Sequence, residues 1–238
     1  PMAIGLPEEA ALEQAFDYYD AVTKEDITKV DGVKRASERV QRLMRAYARH
    51  QGTQASIATL KEDLKNNDTA TLDDDTISSY LEALRKIFVV EDMPAWNPNL
   101  RSKTAIRTAD TRYFVDPSIA TAALGLGPAD LMSNLKTMSF FFEAMCVRDL
   151  RVFAEALNGK IYHYRDKSGL ECDAVVPLRN GQYGLIEVKL GGETLINEGV
   201  ETLTSLAKHI DTTRMKAPAF KMVLTATGEY AYRRPEDG

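Results

Sequence analysis

The sequence predicts an α+β chain: a helical first half, then a mixed sheet with one helix before its first three strands and another between the third and the fourth. Three observations carry this. Apolar residues recur at 3.6-residue spacing through most of the stretch up to residue 87. Period-2 alternation takes over in IYHYRDKSGLECDAVVPLRNGQYGLIEVKL, residues 161–190. A further amphipathic run then leads to a β-branched and aromatic segment, FKMVLT, at 220–225. Charged residues at 27% and hydrophobic ones at 44% are an ordinary globular balance, and 238 residues suffice for two modest domains.

In chain order, residues 7–30 read as a helix with Ala10, Leu12, Phe16 and Tyr19 on one side, and residues 1–32 as a connecting segment. Residues 33–49 form the next helix, with Val40, Leu43, Met44 and Tyr47 as its apolar stripe and Lys34, Arg35, Arg39, Arg42, Arg45 and Arg49 around it. Residues 53–65 and 74–87 make a helix pair, and the aspartates at 73–75 stand where an N-cap belongs. Phe88-Val89-Val90 runs into a strand, and a second strand ends at Tyr113-Phe114-Val115. Three helices and a two-stranded wing give a winged-helix-like domain over 33–124. If it meets DNA, the contacts expected are Arg85 and Lys86 on the last helix and Arg101, Lys103 and Arg107 in the loop, where Trp96 packs beside its prolines.

Gly125–Pro128 marks the boundary to a second domain, 125–238. Residues 129–157 read as a short helix and a long one; Glu143 shares its face with Ser139, Cys146, Val147 and Leu150, a poor place for an unpaired carboxylate. Three strands follow, turning at Ser168-Gly169 and Asn180-Gly181. Glu171 and Asp173 share one face of the second strand, and Glu187 and Lys189 one face of the third. Turning near Asn180 brings Asp173 level with Glu187. Clustered carboxylates repel each other and call for a counter-charge, which a divalent cation with oxygen ligands supplies. Lys189 can neutralise a carboxylate or steady a developing negative charge. A helix over 193–210 crosses to the strand at 220–225, which then runs parallel in a mixed sheet, and Tyr230-Ala231-Tyr232 begins a fifth strand.

An acid in a hairpin followed by Glu-x-Lys on the next strand resembles the PD-(D/E)xK nuclease superfamily: Asp173 matches its lone Asp, Glu187-Val188-Lys189 its second half-motif, and Glu143 the glutamate many members carry on the preceding helix. Cys172 stands where the superfamily has Pro. The resemblance implies a restriction-endonuclease-like αβββαβ domain. It also implies Mg²⁺, or Mn²⁺ in its place, on Asp173, Glu187, the Val188 carbonyl and Glu143. Lys189 would orient or deprotonate water, or stabilise the pentavalent phosphate. Longer strings, among them HYRDKSGLECDAVV, RYFVDPSIATAALG and YLEALRKIFVVEDMPAW, resemble a bacterial and archaeal family of predicted AAA+-type ATPases. That resemblance places this chain downstream of an ATPase module, its partner in cis. No G-x-x-x-x-G-K-[ST] loop occurs here, so no ATP site is expected in the chain itself.

The functions excluded are few. A net charge of −5 argues against a generally basic nucleic-acid binder, though not against a local basic face. Cys146 and Cys172 make no disulfide framework, and His50, His163 and His209 make no metal-ligand set. With no membrane-spanning run and no signal segment, a cytoplasmic protein without a membrane partner is expected. A catalytically silent nuclease fold, serving as a binding or structural arm of the ATPase, is the alternative to an active enzyme.

Overall fold

Proline or acidic residues open several helices of this chain, and a left-handed glycine ends one of them. The computed structural model describes residues 5–68, 72–97 and 109–235, less the side chain of residue 68. The chain divides into two units, Pro1–Asp92 with Thr111–Met138 and Met93–Asp110 with Ser139–Gly238.

In the first unit, α1 (Glu8–Ala21) follows Pro7 and opens on Glu8 and Glu9, which suit the positive end of the helix dipole. It runs through a π-helical turn, Val22–Asp26, into α2 (Ile27–Lys29). Then come α3 (Ser37–Arg49), α4 (Ile57–Asp68) and α5 (Asp74–Lys86). Their apolar stripes meet: Leu43, Met44, Leu60, Leu64, Ile77, Leu81 and Leu84 are all fully buried. Asp73 caps α5 by accepting from the Thr76 N–H at 2.8 Å, as its place in the sequence implies. Among the described residues, the two strands expected here are represented by one antiparallel bridge, Val90↔Phe114, flanked by Glu91 N–H to Tyr113 O at 2.9 Å and Val115 N–H to Val89 O at 3.1 Å. Asp116 caps α6 (Pro117–Leu124), and Gly125 at φ 69° ends it in the left-handed conformation. α7 (Pro128–Ser133) and α8 (Leu135–Ala156) follow, the latter continuing into the second unit.

The second unit holds β1 (Tyr162–Arg165), β2 (Glu171–Pro177), β3 (Tyr183–Lys189), α9 (Glu193–His209) and β4 (Phe220–Thr225). The sheet order is β1-β2-β3-β4, with β1, β2 and β3 antiparallel and β4 parallel to β3 after the α9 crossover. Hydrophobic alternation aims Val175, Tyr183 and Leu185 at Leu203, Leu206 and Ile210 of α9 and its end. Trp96 packs beyond its own loop. Ala95 bridges to His163, and the indole sits in this core with Tyr183 and Tyr164 at ring distances of 5.1 and 6.3 Å. One expectation is corrected: residues 230–232 form no strand, and the chain bends there instead.

Candidate functional site

β2 and β3 pair with Ala174 opposite Ile186 and Val175 opposite Leu185, which sets Asp173 across from Glu187. On its other side, β2 is irregular. Tyr162 pairs with Val175 and Tyr164 with Cys172, so β2 spends three steps where β1 spends two. The extra residue falls at Asp173-Ala174, a bulge of the kind that re-aims a side chain next to a site.

The carboxylate of Asp173 turns to β3 and accepts the Val188 N–H at 2.7 Å. Lys189 donates to Glu187 Oε2 at 2.6 Å, and its Nζ lies 3.9 Å from Asp173 Oδ2. Glu187 is 3% exposed, and its Oε1 is buried with no hydrogen-bond partner. One cation thus stands between two carboxylates, and one carboxylate oxygen is left over. α9 helps to close the site. A Cβ on Gly199 would stand 3.2 Å from Val223 and 3.4 Å from Glu187 Cβ, so its absence lets the helix lie close over Glu187.

These surroundings set the protonation. Burial, then the Asp173 charge, pushes the Glu187 carboxyl up to about 7, against which Lys189 acts. Burial also raises Asp173, opposed by Lys189 and the Val188 N–H and reinforced by Glu171. For Lys189, burial alone works downward, but Asp173 and Glu187 outweigh it, and the ammonium is held above its ordinary value.

Asp173, Glu187, Val188 and Lys189 are therefore brought together. Glu143 on α8 adds its charge to the field at Lys189 and at Cys146. Among the described residues, however, no three His, Cys, Asp or Glu side chains group closely enough to hold a metal ion. The donor set is two carboxylates beside the Val188 backbone. Such a pair fits magnesium, which commonly takes one or two carboxylates and completes its shell with water and substrate phosphate. Glu171 pairs with Arg165 at 3.2 Å at the strand end. Cys146, pushed up to about 11 by burial and neighbouring acids, stays a thiol. His163 is buried with its Nε2 2.9 Å from the Ala109 carbonyl, so it packs rather than meets substrate.

Of the cations expected to meet nucleic acid, Arg85 pairs with Asp92 at 2.5 Å and Lys86 with Glu82 at 2.9 Å. Arg101, Lys103 and Arg107 lie outside the described residues. Two features of the site escaped the sequence reading, the bulge at Asp173 and the role of Gly199. A lone glycine inside a helical pattern was the available signal for the second.

No helix among the described residues is long and apolar enough to cross a membrane. No curated protein and no solved structure matches the chain. Residues 138–237, which carry the site, match a domain of unknown function, DUF4143. Residues 4–130, more than half of the chain, match another, DUF8612, and the chain belongs to that family.

Proposed function

We propose that the second unit is a metal-dependent phosphodiester hydrolase on a nuclease-like αβββαβ fold. The observation that carries the reading is the buried, unpartnered Oε1 of Glu187 beside a second carboxylate. A buried acceptor with no donor costs free energy, and a buried carboxylate and a part-buried one sharing one ammonium are short of positive charge. A divalent cation, Mg²⁺ or Mn²⁺, supplies that charge together with Lewis acidity. Asp173 and Glu187 would hold it, with the Val188 carbonyl alongside and Glu143 acting from α8. Held as an ammonium, Lys189 serves as an electrostatic partner of a phosphoryl oxygen, not as a base.

The winged-helix reading of the first unit, DNA as a partner, and an ATPase module in cis belong to the same proposal. Their support is the helix order α3-α4-α5 ahead of the Val90↔Phe114 bridge, together with the sequence resemblance. The test is cleavage of plasmid and single-stranded DNA in Mg²⁺ or Mn²⁺. Asp173→Ala and Lys189→Ala should each lose about 100-fold or more in rate. Variants that cut like the wild type would assign the activity to a contaminant.

The second reading, a silent site serving as a binding or structural arm, is favoured by one observation: no third acidic ligand joins Asp173 and Glu187 among the described residues. It predicts no cleavage with either metal.

A further inference from the structure

The chain after β4 stays beside the end of β3. Ala226 N–H donates to Lys189 O at 3.3 Å, and the Thr227 hydroxyl donates to Leu190 O at 3.3 Å. Gly191 makes room for this: a Cβ there would stand 2.1 Å from the Thr227 hydroxyl oxygen. Further on, Arg234 donates to Asn197 of α9 at 2.7 Å. The segment 226–234 is thus tied at one end to the residues directly after the Glu-x-Lys strand and at the other to the helix that follows them.

Between these ties stand Tyr230 and Tyr232, 75% and 64% exposed, with ring centroids 6.0 Å apart and edge to face. Tyr183 and Tyr164 of the same unit, by contrast, are buried in its core. Arg233 beside them is exposed, and the stretch carries Glu229 against Arg233 and Arg234. Charge is therefore modest, and two solvent-facing rings are the main feature. Unpaired bases stack on such rings whatever their sequence, whereas a duplex keeps its base faces covered.

We propose that Tyr230 and Tyr232 form a stacking platform for single-stranded nucleic acid, on the segment that leaves β4 beside the end of the Glu-x-Lys strand. The proposal deepens the phosphodiesterase reading and rests on it for the strand's cleavage, but binding is measured apart from cutting. The full chain is titrated in EDTA against a fluorescein-labelled oligothymidylate and against a duplex of equal length, by anisotropy. Tyr230→Ala/Tyr232→Ala should weaken single-strand binding about 10-fold or more, since one stacked base carries roughly that much. Tyr230→Phe/Tyr232→Phe should stay within about 2-fold of wild type, because the ring and not the hydroxyl does the stacking. Asp173→Ala should bind at least as well as wild type while losing cleavage.

An alanine double variant that binds like wild type, or a phenylalanine double variant that fails with it, overturns the platform. So does a wild-type chain that retains no oligonucleotide, which would assign the tyrosines to a protein surface. Tyrosine-dependent binding without any cleavage removes the phosphodiesterase reading and leaves the platform standing. Cleavage with tyrosine-independent binding does the reverse.

Discussion

Each unit holds an almost completely buried carboxylate side chain, Asp92 in one and Glu187 in the other, and the two are treated in opposite ways. Asp92 in the first unit has a side chain 5% exposed and takes Arg85 at 2.5 Å, Arg112 at 2.6 Å and the Tyr47 hydroxyl. Glu187 in the second unit has a side chain 4% exposed and takes Lys189, which stands 3.9 Å from Asp173 as well. Two guanidinium groups and a hydroxyl surround one acid. One ammonium serves two acids at the other. Surplus positive charge makes Asp92 a tie beside the Val90↔Phe114 bridge, since Tyr47 also lies 3.3 Å from the Tyr113 carbonyl. Deficit makes the Asp173–Glu187 pair a place where a cation gains something. The difference teaches that burial alone does not mark a functional acid; the balance of partners around it does.

The largest expected effect breaks the satisfied side of the comparison. Asp92→Ala leaves two guanidinium groups and the buried Tyr47 hydroxyl without their common acceptor, which costs about 3–5 kcal/mol. Trp96 is the single tryptophan and lies in the second unit's core, so its fluorescence follows that unit. The α-helical circular dichroism transition should fall in denaturant midpoint while the tryptophan transition stays. An unchanged helical transition would mean that Asp92 is no tie.

How much of this contrast was legible beforehand follows from what each feature depends on. The helices and β1 to β4 were readable because periodicity and turn residues are local. Asp73, Asp116 and Gly125 cap helices in the way their chemistry implies. Asp173 facing Glu187 was readable because a hairpin fixes strand register, and its partner Lys189 came with it. Residues whose partners lie far along the chain were not. Asp92 is 45 residues from Tyr47, and no local pattern announces the pair. Trp96 looked like loop filling because its partners, Tyr164 and Tyr183, arrive only when the sheet forms. The bulge at Asp173 depends on β1, whose alternation gives no hint of a missing step.

A smaller effect sharpens the deficit side. The Glu187 carboxyl is pushed up to about 7 from an ordinary 4.5. Between those values the folded chain holds a proton that the unfolded chain has released. Stability from this group is therefore fully present below pH 4.5 and is lost as pH rises through 7. The loss amounts to about 3 kcal/mol, and burial of Asp173 adds to it in the same direction. Glu187→Gln, uncharged throughout, should match wild type near pH 4 and exceed it by about that amount at pH 8, read on Trp96 fluorescence in denaturant. A variant less stable than wild type at pH 8 would show that Lys189 already satisfies the glutamate.

The smallest effect decides what fills the deficit. At pH 8 both carboxylates are short of positive charge, and a cation that binds only the folded chain stabilises it by mass action. At ten times its dissociation constant the gain is about 1.4 kcal/mol. Mg²⁺ or Mn²⁺ should therefore raise the Trp96-monitored midpoint of wild type. It should do so less for Asp173→Ala and Glu187→Gln, and not at all for a variant lacking both acids. Asp92→Ala should keep the full response, because its carboxylate has no part in the site. A midpoint indifferent to millimolar divalent cation in the wild type, with Glu187→Gln still more stable at pH 8, would mean that the charge deficit is real but no metal answers it. The silent-site reading would then account for Lys189 as the pair's only counter-ion among the described residues.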